Sequence, residues 1–266
     1  INGYLMSNTT ISSDQTYQKL MRQSGEVIAY RKLSSQHIKT SPGIIFLPGF
    51  MSDMDGAKAL TIEKFAKAAG LSFVRFDYFG HGNSSGKFVD GHIGIWAADT
   101  LAVLDELTDG PQVLVGSSMG GWLMLLAAIA RPRRIKGLIG IAAAPDFTED
   151  LLLKELTKAE LVEVNYRGFV TKENPYEDEY IYTKALFDEG RKHLVLRQEI
   201  PIDCPVRLLH GLKDEMVPWQ TALSIQEKIR GTDVNITLVK NGDHRLSKTS
   251  DLDCLIGILS SLINGL

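Results

Sequence analysis

Short runs of apolar and β-branched residues alternate with helix-patterned stretches along most of this chain, and that alternation leaves few folds open. The runs Val27–Leu33 (VIAYRKL), Gly43–Leu47 (GIIFL), 72–76 (SFVRF), 112–115 (QVLV), 138–142, 206–210 (VRLLH) and 236–239 read as strands. Between them, 55–69, 94–107, Met119–Ala130, 219–229 and 251–263 read as helices. In 55–69, Leu60, Phe65, Ala68 and Ala69 recur at helical spacing before Gly70 stops the run, and in 94–107 an apolar stripe runs through Ile95, Ala98, Leu101, Ala102 and Leu104. Strands that are apolar throughout, rather than on alternate residues, must be covered on both faces. The expected fold class is therefore α/β, a mostly parallel sheet between two layers of helices.

One stretch breaks the rhythm. Residues 147–201 are dense in charge and tyrosine and contain LLLKELTKAELVEV and YTKALFDEGRKHLVL. They read as two or three helices without a strand, a cap of 55 residues inserted into one domain spanning 1–266. Composition mainly excludes. Twenty-nine Lys and Arg against 32 Asp and Glu give a net charge of −3, which supplies no electrostatic reason to bind nucleic acid or an anionic membrane. Two cysteines, Cys204 and Cys254, build neither a disulfide framework nor a cysteine-rich metal site. The longest apolar run, 122–130, is about half of the roughly 20 residues that a membrane-spanning helix needs. Residues 1–35 are polar and hold no apolar run of signal-peptide length, and the opening Ile1 is compatible with a segment removed upstream.

The chemistry is concentrated in Gly116-Ser117-Ser118-Met119-Gly120. A G-x-S-x-G pentapeptide is weak evidence by itself. Here it follows the strand QVLV directly and opens the small-residue helix GGWLMLLAAIA, the strand–turn–helix setting of a nucleophile elbow. Only Ser118, and not Ser117, has glycine at both −2 and +2. A serine hydroxyl needs a base, and the base needs an orienting acid. The strand VRLLH runs into Gly211-Leu212-Lys213-Asp214-Glu215, and the next strand runs into Asn241-Gly242-Asp243-His244. Both ends fall on the carboxyl rim of a parallel sheet, where ligands bind. The expected triad is Ser118, His244 and Asp214, with Glu215 and Asp243 as weaker candidates for the acid. The Met119 N–H at the helix N-terminus and the Phe50 N–H in Pro48-Gly49-Phe50-Met51 are the expected oxyanion donors. Met51, Met54 and Trp122 are expected groove residues. Asp77 is read as a brace for the loop that carries the site, His81 as a loop-packing residue and His210 as a structural histidine. The sequence contains no HExxH, P-loop or GxGxxG opening a helix, so no metal or cofactor is expected.

GSSMGG after a strand, then HGLKD, then GDH, together with RFDYFGHGNSSG, resemble the α/β-hydrolase superfamily across residues 41–266. Within it, SPGIIFLPGF, GAKAL, DGPQVLVGSSMGGWLMLLAAIARP, CPVRLLHGLKDEMVPW and TDVNITLVKNGDHRLS are similar to the mitochondrial acyl-protein thioesterase and acyl-glucuronide esterase branch and its bacterial relatives. The resemblance is weaker in 147–201. It implies a serine hydrolase that cleaves carboxylic esters or thioesters through an acyl-enzyme, with a small acyl ester, acyl thioester or S-acylated protein as substrate. It implies a mitochondrial-matrix location if the source is eukaryotic and a cytoplasmic one if it is bacterial. Peptidases and carbon–carbon bond hydrolases on the same scaffold, and a non-catalytic binding protein, are the competing readings.

Overall fold

The computed structural model describes residues 17–35, 41–172 and 179–266. In chain order the first part of the molecule comprises β1 (Gln18–Met21), β2 (Val27–Leu33), β3 (Gly43–Leu47), α1 (Ala57–Ala69), β4 (Phe73–Phe76), α2 (Ile93–Leu107), β5 (Gln112–Ser117), α3 (Met119–Ala130) and β6 (Ile135–Ile141). A π-helical turn, Thr148–Leu152, then runs into α4 (Leu153–Glu155), α5 (Lys158–Arg167), β7 (Phe169–Lys172), β8 (Tyr180–Thr183) and α6 (Lys184–Arg191). The chain returns to the main sheet with β9 (Val206–Gly211), α7 (Gln220–Lys228), β10 (Val234–Val239) and α8 (Thr249–Asn264). Among the described residues, eight strands form one sheet in the order β1-β2-β4-β3-β5-β6-β9-β10. β1, β2 and β4 pair antiparallel, and every pairing from β4 to β10 is parallel. None of the described helices is long and apolar enough to cross a membrane.

The period of two along each strand sorts the core into two layers. Ile45, Leu47 and Leu114 join Trp96, Val103 and Leu104 of α2 and Leu123 and Leu125 of α3. Ile44, Phe46, Val113 and Val115 point the other way, to Ala59, Ile62 and Ala66 of α1 and Leu255, Leu259 and Leu262 of α8. At about 25 cal/mol per Å² of apolar surface, this two-sided burial is what makes the central strands apolar throughout.

Residues 147–201 do not match the strandless expectation. β7 and β8 pair as a small antiparallel sheet in which Val170 faces Tyr182. Those two side chains are buried while their strand neighbours stay more exposed, so four residues with one covered face suffice to make each strand. Gly168, at φ +86° in the left-handed region, ends α5 and turns the chain into β7. Residues 173–178 of the expected cap lie outside the described residues. β1 was not expected from the sequence either; it adds to the sheet edge through Leu20 opposite Ile28.

α3 sits against the centre of the sheet at unusually close range. A Cβ at Gly120 would lie 2.1 Å from the Leu47 carbonyl oxygen and 2.6 Å from that of Pro48, both rigid backbone. Gly257, in α8, has nothing within 4 Å of the same position. Gly120→Ala should therefore lower unfolding free energy by about 3 kcal/mol through overpacking. Gly257→Ala should leave it unchanged or raise it by about 1 kcal/mol, because alanine is the better helix former. Urea unfolding of both variants checks the contrast; equal stability would show that the helix can move away from β3.

Candidate active site

Ser118 joins β5 to α3 at φ +54°, ψ −119°. A non-glycine residue there carries about 1–3 kcal/mol of strain and persists only when its neighbours over-determine it. They do so here. The Ser118 N–H donates to the Ile141 carbonyl (2.9 Å), and its own carbonyl accepts from Gly121 (2.8 Å) and Ala144 (3.0 Å). The strain lifts the hydroxyl out of the sheet, while Ser117 is buried in β5. Met119 is the first residue of α3, so its N–H has no intrahelical carbonyl to bond.

The ends of β9 and β10 converge on this serine. A Cβ at Gly211 would lie 2.3 Å from the Gly242 carbonyl oxygen, and Lys213 N–H donates to that same carbonyl at 2.9 Å. Two loops zipped this closely bring their side chains together. His244 Nε2 lies 3.1 Å from Ser118 Oγ, and His244 Nδ1 lies 2.8 Å from Asp214 Oδ2. A carboxylate can only accept, so Nδ1 carries the proton and Nε2 faces the serine as acceptor. The Asp214 side chain has no exposed surface, and that of His244 keeps 18%. Asp214 Oδ1 accepts from the Met216 N–H (3.0 Å) and the Val217 N–H (2.9 Å). Burial alone would raise the Asp214 pKa; bonds from His210 and His244 outweigh it and hold the carboxyl well below the usual range. Glu215 is exposed on the loop, and Asp243 is committed to the Leu246 N–H at 3.0 Å, so neither meets His244 as Asp214 does.

His210 has a larger part than the structural one expected of it. Its Nε2 donates to the Val217 carbonyl at 3.0 Å and lies 3.2 Å from Asp214 Oδ2. It thus clamps both ends of the Asp214 turn. The signal was present in HGLKD, where His210 and Asp214 flank one tight loop. On the other side, Lys58 of α1 donates to the Arg245 carbonyl at 2.5 Å, tying the His244 loop to the helix layer. Burial pushes the Lys58 pKa down to about 8.

The loop after β3 lies beside Ser118 and is braced from the loop after β4. Met54 N–H donates to Asp77 Oδ1 at 2.7 Å, and Asn83 N–H donates to Asp77 Oδ2 at 2.8 Å. Burial raises the Asp77 pKa, opposed by those two backbone bonds. Arg75, only 2% exposed, donates to the Met54 carbonyl at 3.0 Å and pairs with Asp55 and with Glu63 (3.0 Å). Sequence reasoning missed Arg75 because a charge in a strand ordinarily marks a solvent face. Asp77 braces the loop as expected.

Met51 is half-buried in this loop, whereas Met54 and Trp122 have no exposed surface. Those two are corrections to the expected open groove wall. Met54 turns inward because its backbone is held at both N–H and C=O. Trp122 is packed edge-on against Phe147 (5.7 Å), with its indole N–H donating to the His193 carbonyl at 3.0 Å. Aromatic residues gather around Phe50 instead. The Phe50 ring is met by Phe88 (4.8 Å) and Trp96 (5.9 Å) from the core side. Phe147 (5.6 Å), Tyr180 (6.4 Å) and Tyr182 (6.3 Å) meet it from the segment between β6 and β9. Among the described residues no group of three or more His, Cys, Asp and Glu side chains is placed to hold a metal ion.

Known proteins are similar to this chain in sequence and fold. A protein-family profile described as alpha/beta hydrolase fold matches residues 42–172. Human palmitoyl-protein thioesterase ABHD10, mitochondrial, is 43% identical over 241 residues, covering 90% of this chain and 77% of that protein. The chain belongs to the α/β-hydrolase family. Among solved structures of the family, alpha/beta hydrolase domain-containing protein 10 from mouse superposes with a TM-score of 0.86 at 42% identity, covering 94% of this chain and 99% of that one. A putative hydrolase from Agrobacterium vitis S4 gives a TM-score of 0.89 at 37% identity, covering 93% and 98%. The eight-stranded sheet and its helix layers are thus those of a family hydrolase.

Asp77→Asn tests the brace. An amide offers one acceptor oxygen where the carboxylate offers two, so one of the Met54 and Asn83 N–H groups must face an NH2. The expected loss is about 1–3 kcal/mol in chemical denaturation. A loss below about 0.5 kcal/mol, the size of an ordinary surface change, would show that the two bonds do not hold the loop.

Proposed function

We propose that this hydrolase cleaves acyl thioesters and carboxylic esters through an acyl-serine intermediate. The observation that carries the proposal is the continuous hydrogen-bond chain from Ser118 Oγ through His244 to buried Asp214. In the first half-reaction Ser118 Oγ attacks the acyl carbonyl carbon, and its proton passes to His244 Nε2. Asp214 holds the imidazole with Nδ1–H towards itself and stabilises the imidazolium that forms. The Phe50 and Met119 N–H groups receive the oxyanion, each at about 3 kcal/mol of transition-state stabilisation. Collapse of the tetrahedral adduct breaks the bond to the thiol or alcohol, which takes the proton from His244. Water then attacks the acyl-enzyme with His244 again as base, releasing the carboxylic acid and free Ser118.

The relatives' name, palmitoyl-protein thioesterase, favours thioesters and an acyl chain as the recognised group. The net charge of −3 offers no attraction to an anionic surface, so an S-acylated substrate is recognised through its acyl chain. Aromatic side chains around Phe50 provide the apolar surface for it. Mitochondrial names among the relatives support the mitochondrial matrix as the location of a eukaryotic chain. The segment 147–201, inserted between β6 and β9 in one domain, is proposed to cover the acyl site.

A fluorophosphonate probe should label Ser118, and Ser118→Ala should abolish both labelling and thioester turnover. His244→Gln should lower kcat by about a thousandfold or more while thermal unfolding is unchanged. Labelling that survives Ser118→Ala, or a loss below tenfold in His244→Gln, contradicts the mechanism.

A further inference from the structure

His81 sits in the loop after β4, yet its ring is aimed at the loop after β3. Its Nε2 lies 3.3 Å from the Met51 N–H, and its Nδ1 lies 3.1 Å from the Phe79 carbonyl oxygen. A carbonyl can only accept and an amide N–H can only donate, so the two contacts together fix one form of the ring: neutral, protonated on Nδ1, bare on Nε2. The surroundings enforce it. The imidazole is 4% exposed and is met edge-on by Tyr78 (5.7 Å), Phe88 (5.1 Å) and Trp96 (5.3 Å). Burial lowers its pKa to about 4. The Phe79 main chain is itself pinned: its N–H donates to Asp99 Oδ2 (2.8 Å), and its carbonyl accepts from the Trp96 indole N–H (3.0 Å).

The bond falls where the backbone needs it. Gly49, Phe50, Met51 and Ser52 form a turn closed by Ser52 N–H donating to the Gly49 carbonyl at 3.2 Å. Met51, its third residue, has φ +54°, a position that ordinarily takes Gly or Asn. Flipping the Phe50–Met51 peptide would relieve that strain, and would at the same time turn the Met51 N–H away from His81. Phe50 is the pivot of such a flip. The turn lies against the nucleophile: a Cβ on Gly49 would be 3.4 Å from Ser118 Cβ.

We infer that His81 is a positioning residue for the oxyanion site, its bare Nε2 holding the Met51 N–H so that the strained turn presents the Phe50 N–H beside Ser118. This rests on the acyl-serine reading above. The ring touches no substrate; it acts through the main chain of Met51.

Two isosteres separate this role from simple packing. The Oε1 of a glutamine reaches the place of Nε2 and can accept from Met51. An asparagine reaches only the place of Nδ1, where it can still donate to Phe79. With a p-nitrophenyl ester and an acyl-thioester, His81→Asn should lower kcat by about tenfold to a hundredfold with KM little changed, and His81→Gln should restore most of that loss. Thermal midpoints of the two variants should agree. Imidazole ¹⁵N NMR of the wild type should show Nδ1 protonated and Nε2 bare across neutral pH, a reading that needs no variant to fold. Equal activity of His81→Asn and wild type, equal losses in both variants, a loss confined to KM, or an Nε2-protonated ring each overturns the inference. Wild-type protein that turns over neither substrate and takes no fluorophosphonate on Ser118 overturns the parent reading, and this one with it.

Discussion

The close contact between α3 and the ends of β3 and β5 is the constraint on which the rest of the site depends. With no Cβ at Gly120, the helix rests on the Leu47 and Pro48 carbonyls, and Ser118 is pressed into a backbone conformation that it would not adopt alone. Three main-chain bonds, one donated to the Ile141 carbonyl and two accepted from the Gly121 and Ala144 N–H groups, hold it there. The same contact brings the loop after β3 alongside the serine. The backbone at Ser118 and the loop after β3 are therefore set by one packing event between a helix and a sheet, and the two-sided apolar core that anchors both supplies the rigidity.

Around this contact the protein uses buried polar side chains to tie down main chain. Asp77, Arg75, His81, Asp99, His210 and Asp214 are all largely buried, and each bonds to backbone of a loop at the carboxyl rim of the sheet. A buried charge or imidazole is costly unless its lone pairs and protons find partners. Here the partners are peptide groups that loops leave unpaired, so the cost of burial and the cost of open loop backbone offset one another. The result is a rim that is fixed before any substrate arrives, which is the condition for aligned dipoles to stabilise a transition state without reorganising.

Much of this was legible in the sequence because it obeys local rules. GIIFL and QVLV are apolar at every position, and only a sheet covered on both faces asks for that. Ser118, Asp214 and His244 each end a strand or follow its turn, so their meeting on one rim followed from chain order and strand direction. The unread parts are those whose signal lies in a partner distant in sequence. β7 and β8 are four residues each, and only the Val170–Tyr182 pairing marks them. Arg75 looks like a solvent-facing charge until α1 brings Glu63 and the loop brings Asp55. Met54 and Trp122 carry apolar side chains near the motifs, but backbone bonds at Met54 and the His193 carbonyl at Trp122 draw them into the core. The aromatic ring around Phe50 draws on four other stretches of chain, a juxtaposition that no spacing rule encodes.

The proposed mechanism requires a covalent intermediate at the strained serine. Rapid quenching of the wild-type protein with an acyl-thioester, followed by peptide mass mapping, reads it directly. An acyl adduct on Ser118 should accumulate in a burst and decay with turnover. Steady turnover with no acylated peptide, or an adduct on any other residue, would contradict it.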